Sequence, residues 1–481
     1  MQQGYSLKFK PLDVLTELEL EQIERGFLAV LEDVGTKFES LDALKVLEKG
    51  GCRVDYDSMV AKFPPGLVLE CLRKCPSSFG LKAREAKNDL QIGGNTLYFA
   101  SLTGMQILDF ETGLPRKATR KEFYDAVTVY DALENLHLFH PNSPFTTFQG
   151  VPEMMMNIES FVGRTRNSSK VNGYTCVGNM DVFLFPVLRA LGVRPLSGAH
   201  AAPPLVWDEN ACLTSMRGMD AGFPMLLGDG DIYGATSPVT VAGSLVHCVA
   251  ELAAGIVFCQ LYKPGLGVMA FTFTTPQNMR TGAPAFGNIG IALHEAAFNQ
   301  VWRKYGIPRA NLPPGLSNSK SIDFQCGYER MGLAMISALS GANLIYLLGC
   351  IYGELESHPV QAILDNDIAA MIGRFIEGSE VNDDTLAIDL IKKVGIIPGS
   401  YLKEEHTRKR WKGEQYMPKA ADTQALGEWI HGDRKTCIDL AKERMEHILS
   451  THKPTPLTDS QEAEIERMLK EAKAVHNVNY D

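Results

Sequence analysis

From about residue 96 the chain alternates short apolar runs with longer stretches in which apolar residues recur every three or four positions. The short runs are LYFAS (97–101), LHLF (136–139), VNGYT (171–175), PPLVW (203–207), PMLLG (224–228), LGVMA (266–270), RANLPP (309–314) and NLIYLL (343–348). Runs of this length, bounded by Gly, Pro and Asn, predict buried strands, and the periodic stretches between them predict helices. Thr119 and Glu122 form a capping-box pattern ahead of EFYDAVTVYDALE, which marks the start of the first of these helices. Eight strand–helix units in succession predict an α/β fold, a (β/α)8 TIM barrel over 96–378.

The flanks follow other patterns. Residues 15–50 and 65–75 carry helical spacing around an extended segment at 52–63, so 1–95 reads as an N-terminal helical extension. Beyond 378 the chain turns charged and ends in SQEAEIERMLKEAKAV after a break at Pro454 and Pro456, so 379–481 reads as a C-terminal helical appendage. Its basic cluster, Lys403, Arg408, Lys409, Arg410 and Lys412, lies among glutamates and reads as a solvated helix face, with docking of a partner protein the alternative. The run 241–259 is apolar enough to suggest a membrane span. His247 and Glu251 interrupt it, however, and Gln260 follows, which favours a buried barrel helix and no membrane.

Composition narrows the function. With 45% hydrophobic and 22% charged residues over 481 positions, the chain can bury a large core. The balance of 47 basic against 57 acidic residues, net −10, argues against nucleic-acid binding by phosphate neutralisation and favours small-molecule or protein partners. The N-terminus, MQQGYSLKFKPLDVL, has no secretory pattern, and ten cysteines are scattered singly, so a cytoplasmic protein with reduced thiols is expected. A homo-oligomer is compatible with this composition.

No zinc-type ligand set stands out. Cys71 and Cys75 sit in a helical segment, and His247–Cys248 sits in an apolar helix, so no protein-bound metal is expected. Neither a phosphate-cradling GxxxxGK[ST] loop nor a GxGxxG after a strand is present. In such barrels the reacting groups gather beyond the C-terminal ends of the strands. That rule selects Ser101, Thr103, His140, Asn142, Trp207, Asp229, Asp231, Tyr233, Phe271, Phe273, Leu316, Ser317, Asn318, Tyr352, Glu354, Glu356 and His358.

The set is richer in aromatics and carboxylates than in nucleophiles. Rings present a negative face to a cation and a carboxylate adds attraction, which suits a desolvated quaternary ammonium. Tyr233, Phe271 and Phe273 are the leading cage residues, and His140 is a donor to a substrate carboxylate. Asp229, Tyr352, Glu354 and His358 complete the substrate-binding set. Each has a structural alternative: an aromatic can be barrel packing, Asp229 and Asp231 can cap a helix, and a strand-end histidine can be a satisfied structural residue.

Four segments, GLSNSKSIDFQCGYER (315–330), GATSPVTVAGSLVH (234–247), GANLIY (341–346) and ILDNDIAAMI (363–372), resemble the trimethylamine:corrinoid methyltransferase family. The likeness in pattern and order runs over 14–475. It implies the same barrel and transfer of a methyl group from an amine to cob(I)alamin held by a separate corrinoid protein. The corrinoid is then the partner's, and none is expected tightly bound here. Amine-demethylating members place pyrrolysine at the position matching Leu316, followed by Ser, an acidic residue and Lys matching Ser317, Asn318 and Lys320. The resemblance thus assigns the catalytic position to Leu316 with Ser317 and Asn318 beside it, although leucine is itself unreactive.

Leucine forms no adduct with an amine, so the substrate must arrive already activated. A quaternary amine meets that condition, because loss of its methyl group expels a neutral tertiary amine without a proton donor. Family relatives without pyrrolysine include glycine betaine methyltransferases, which this chain resembles, so conversion of glycine betaine to dimethylglycine is the expected reaction. Proline betaine and carnitine are alternative substrates. A non-catalytic betaine-binding barrel, or a lyase or hydrolase reaction on the same fold, are alternative functions.

Overall fold

Nine parallel strand segments curl around one axis: Thr96–Ser101, Leu138–Phe139, Val171–Asn172, Tyr174–Thr175, Ser197–His200, Met225–Gly228, Val268–Thr272, Arg309–Asn311 and Leu344–Leu348. The computed structural model describes residues 4–175 and 179–480; Cys176 and the outermost ends of the two flanking segments fall outside them. The last strand pairs with the first, Leu344 opposite Tyr98, so the sheet is a nearly closed barrel. Its seam lies at Gly173. Val171–Asn172 pairs with Leu138–Phe139, whereas Tyr174–Thr175 pairs with Ser197–His200. A side chain at Gly173 would bring a Cβ within 2.8 Å of the Phe139 carbonyl oxygen and of Pro141, so this approach requires glycine. The eight expected units are therefore present, with the third strand split in two.

The fourth strand is displaced from its expected place. It is Ser197–His200 rather than 203–207. Pro203 and Pro204 have no N–H to give to a central ladder, and the chain leaves the barrel there. Val206–Trp207 pairs instead with Thr36–Phe38 of the N-terminal segment. Trp207 stacks on Phe38 and donates its indole N–H to the Glu251 carbonyl at 3.2 Å, away from the barrel mouth.

Inward-facing residues of alternate strand positions, among them Tyr98, Leu226, Phe271 and Tyr346, fill the barrel. The hairpin Ser78–Leu81/Leu90–Gly93 adds Phe79, Leu81, Leu90 and Ile92 to this cluster. The capping box forms as expected, with Glu122 N–H donating to Thr119 Oγ1 at 3.2 Å and Thr119 N–H to Glu122 Oε2 at 2.8 Å.

Helix Val241–Tyr262 is the apolar run that suggested a membrane span, and its mean hydropathy is 1.8. It is apolar all round, so it must be covered all round. Barrel strands pack on one side, and helices Glu17–Ala29, Leu41–Lys49 and Pro65–Lys74 pack on the other. The N-terminal segment also contains the strands Thr36–Phe38, Arg53–Asp55 and Val60–Lys62. At the other end, helices Cys437–Thr451 and Asp459–Val475 pack on the barrel helices Arg120–Ala132, Asp181–Leu191 and Pro359–Ile376. In the basic cluster Lys409 pairs with Glu405 at 2.6 Å and Arg410 pairs with Asp384, on an exposed face.

Candidate functional site

A cavity of about 200 Å³ lies at the C-terminal ends of the strands. Its lining includes His140, Asn142, Tyr174, Thr175, His200, Phe271 and Tyr346, together with Gly173 at the seam. Four of the rings form a linked series. His140 meets Tyr346 at 5.7 Å between centroids, Tyr346 meets Phe271 at 5.4 Å, and Phe271 meets His200 at 5.4 Å, each pair close to edge-on. Edge-to-face contacts fix ring orientation and leave other faces free for a ligand.

Among the described residues, neither a carboxylate nor an ammonium or guanidinium group lines this cavity. Both histidines are neutral at ordinary pH. Burial holds His140 down at about 3, with His200 and Arg164 adding repulsion, and burial alone holds His200 at about 4. The cavity thus combines aromatic surface with polar ring nitrogens and carries no positive charge to oppose a cationic ligand.

Leu316 is fully buried and belongs to the same interior cluster as Phe271 and Tyr346. The backbone around it is held by its neighbours. Arg330, paired with Asp365, donates to the carbonyl of Gly315. Ser317 donates its hydroxyl proton to Glu329 Oε2 at 2.6 Å, and Asn318 N–H donates to the same oxygen at 2.9 Å. Asn318 Nδ2 donates to the Phe286 carbonyl at 2.7 Å. Ser317 and Asn318 therefore set the shape of the loop after the seventh strand.

The other expected site residues separate into those at the cavity and those engaged elsewhere. His140 and Phe271 line it. Phe273 is half-buried and packs against the interior cluster. Asp229 accepts from Phe273 N–H at 2.7 Å and Thr274 Oγ1 at 2.6 Å, and so organises the loop after the sixth strand. Tyr233 is stacked on His294 at 6.2 Å, outside the cavity lining. The ring of Tyr352 already carries a cation, with Lys320 Nζ 4.2 Å from its centroid. His358 Nδ1 accepts from Val360 N–H at 3.0 Å and caps helix Pro359–Ile376. Glu354 stands half-buried in the loop after the eighth strand, its carboxyl pushed up to about 7 by burial.

Two rings of the linked series escaped the sequence reading. His200 ends the true fourth strand, and placing that strand at 203–207 put Trp207 in its stead. Tyr346 lies within the eighth strand, so a search beyond strand ends passes over it. Its signal was the inward alternation of the run 344–348.

The chain is 30% identical over 476 residues to trimethylamine methyltransferase MttB of Desulfitobacterium hafniense (strain DSM 10664 / DCB-2), covering 96% of this chain and 94% of that one. It is 28% identical to a glycine betaine methyltransferase of Desulfitobacterium hafniense (strain Y51), covering 95% and 96%. Among solved structures, the Methanosarcina barkeri monomethylamine methyltransferase MtmB aligns with a TM-score of 0.48 and 10% identity, covering 95% of this chain and 92% of that one. The trimethylamine methyltransferase (MTTB) family model matches residues 2–147 and 196–475, and the chain belongs to this family of corrinoid-dependent methyltransferases.

Proposed function

We propose that the protein transfers a methyl group from glycine betaine to cob(I)alamin on a partner corrinoid protein and releases dimethylglycine. The observation that carries this reading is the ring series His140–Tyr346–Phe271–His200 around a cavity that, among the described residues, no cationic group lines. Aromatic faces attract an ammonium that cannot donate hydrogen bonds, and the attraction grows when water is excluded. The neutral imidazoles supply ring nitrogens for the substrate carboxylate without adding repulsion at the ammonium.

The position of Leu316 agrees with this chemistry. Its side chain offers packing only, so the substrate must be its own leaving-group activator. In glycine betaine the nitrogen is already quaternary. The methyl carbon–nitrogen bond breaks as the methyl passes to Co(I), its electron pair stays on nitrogen, and the positive charge on nitrogen is lost as dimethylglycine departs with a neutral amine and its carboxylate intact. The chain's residues hold one methyl group toward the mouth and keep the cation dry, which supplies positioning and desolvation. A glycine betaine methyltransferase among the relatives adds support.

The deciding test mixes the protein with cob(I)alamin and, separately, glycine betaine, proline betaine, carnitine, dimethylglycine and trimethylamine. Loss of the Co(I) absorption with glycine betaine, with dimethylglycine appearing in equal amount, is the expected outcome. Preferential turnover of another betaine would reassign the substrate. Binding of glycine betaine without any loss of Co(I) would leave a binding protein in place of an enzyme.

A further inference from the structure

We propose that Asp231, His247 and Glu251 form a binding site for one divalent cation of the zinc or manganese type, buried apart from the substrate cavity. His247 and Glu251 stand four residues apart on helix Val241–Tyr262 and so share one face. Asp231 comes from the loop after Met225–Gly228, where its carbonyl accepts from Thr275 N–H at 2.9 Å. One donor atom from each of the three residues lies within 4.8 Å of the others. None of the three lines the aromatic cavity.

Two independent features point to a cation. The first is unmet bonding capacity in side chains shielded from water. Asp231 and Glu251 are fully buried and His247 is 12% exposed, yet Asp231 Oδ1, Glu251 Oε2 and His247 Nε2 have no hydrogen-bond partner. The second is charge. Asp229 adds a third buried carboxylate nearby, and the ion-pair partner of both Asp231 and Glu251 among the described residues is a single histidine. Buried carboxylates without counter-charge are costly. A proton on Glu251 would relieve part of that cost but would leave the free atoms of Asp231 and His247 unchanged. A cation held by Asp231, His247 and Glu251 would supply the counter-charge that both carboxylates lack.

The spacing also suits an ion. His247 Nδ1 lies 2.9 Å from Asp231 Oδ2 and 3.9 Å from Glu251 Oε1. These values bracket the roughly 3.3 Å between neighbouring ligand atoms around a tetrahedral ion with bonds near 2.0 Å. One imidazole with two carboxylates favours zinc, a borderline cation, and admits manganese, a harder one, over calcium or magnesium, which prefer all-oxygen shells. Glu251 Oε1 also accepts from Leu205 N–H at 2.5 Å. The ion would thus join the loops after the fourth strand and after Met225–Gly228 to one helix, in a structural role.

The test uses the full-length protein, stripped with a chelator and then titrated with zinc or manganese chloride. The metal content after dialysis, the calorimetric affinity and the melting temperature are read together. One ion per chain is expected, with a higher melting temperature when it is bound. Glu251→Gln and His247→Gln should each weaken affinity by about tenfold or more and abolish the metal-dependent rise in melting temperature. Glu251→Gln keeps the shape of a protonated glutamate, so it is the decisive variant if others fail to fold. Absence of stoichiometric binding would overturn the proposal, as would wild-type affinity in both variants.

Discussion

Arg330 and Asp365 meet through two parallel hydrogen bonds, Nε to Oδ1 at 2.8 Å and Nη2 to Oδ2 at 2.6 Å, with both side chains wholly shielded from solvent. The guanidinium also donates to the carbonyls of Gly315 and Leu347, and Gly349 N–H donates to Asp365 Oδ2 at 2.9 Å. One ion pair therefore fixes the residue before Leu316 against the end of the eighth strand. Tyr346, a ring of the cavity, lies one residue before Leu347 on that strand.

Breaking this pair from one side should be costly. Asp365→Leu leaves a buried guanidinium uncompensated, and a loss on the order of 3–5 kcal/mol is expected. Urea denaturation reads that loss directly. Replacing both residues, Arg330→Met with Asp365→Leu, should recover part of the stability. A double variant no more stable than the single one would show that the carbonyl contacts of Arg330, rather than the pair, hold this region.

For the cage, Phe271→Ala and Tyr346→Ala should each weaken glycine betaine binding by about 0.5–2 kcal/mol per lost cation–π contact. Tyr233→Phe, at a ring stacked on His294, should leave binding unchanged. Calorimetric titration of folded variants checks both. Weakening by Tyr233→Phe, with no effect at Phe271, would move the ammonium site outward from the barrel.

Leu316 yields a prediction of selectivity. Trimethylamine enters either as a protonated cation or as a neutral amine whose dimethylamide leaving group is very poor. Among the described residues, no charged group lines the cavity to assist either form, so quaternary amines should turn over and tertiary amines should not. Initial rates with glycine betaine, dimethylglycine and trimethylamine under the same corrinoid conditions decide it. Equal rates for trimethylamine and glycine betaine would require an activating group elsewhere.

Glu295 yields a prediction in pH. It is fully buried, accepts from Ser337 Oγ at 2.6 Å, and burial pushes its carboxyl up to about 8. The folded state then binds this proton more tightly than the unfolded state does. Its contribution is fully present below the ordinary glutamate range near 4.5 and is lost as pH rises through about 8. Glu295→Gln carries no such loss. Relative to wild type, the variant should gain stability on the order of a few kcal/mol between pH 5 and pH 9. Melting curves across that interval test it, and a constant difference between the two proteins would refute the burial argument.

The barrel was legible because buried parallel strands write themselves as short apolar runs, and seven of the eight runs lie at or beside the observed strands. The exception teaches more. PPLVW has the apolar content of a strand, but only Trp207 in it is buried, its prolines exclude it from a central ladder, and Trp207 serves a different sheet. The true strand, Ser-Gly-Ala-His, has almost no hydrophobic signature, since small residues suffice where the cavity opens. At the site, strand-end reasoning located His140 and Phe271 but had no means of pairing them. The contact that joins them runs through Tyr346, and His200 extends the series beyond Phe271, both from strands distant in sequence. The Asp231, His247 and Glu251 group was hidden for the same reason: a sixteen-residue gap resembles no ligand motif, and folding closes it to 2.9 Å.

Helix Val241–Tyr262 carries a burden that arises before the molecule is complete. During synthesis it presents a segment apolar enough for a lipid bilayer, and its shelter must already be at hand. The chain order provides this, because the three helices that cover it precede it by more than 160 residues. The first 95 residues thus act as a shield made in advance of the thing it protects. A chain begun at residue 96 would keep every barrel strand and every cavity ring, yet it should leave the outer side of that helix bare and be recovered as aggregate.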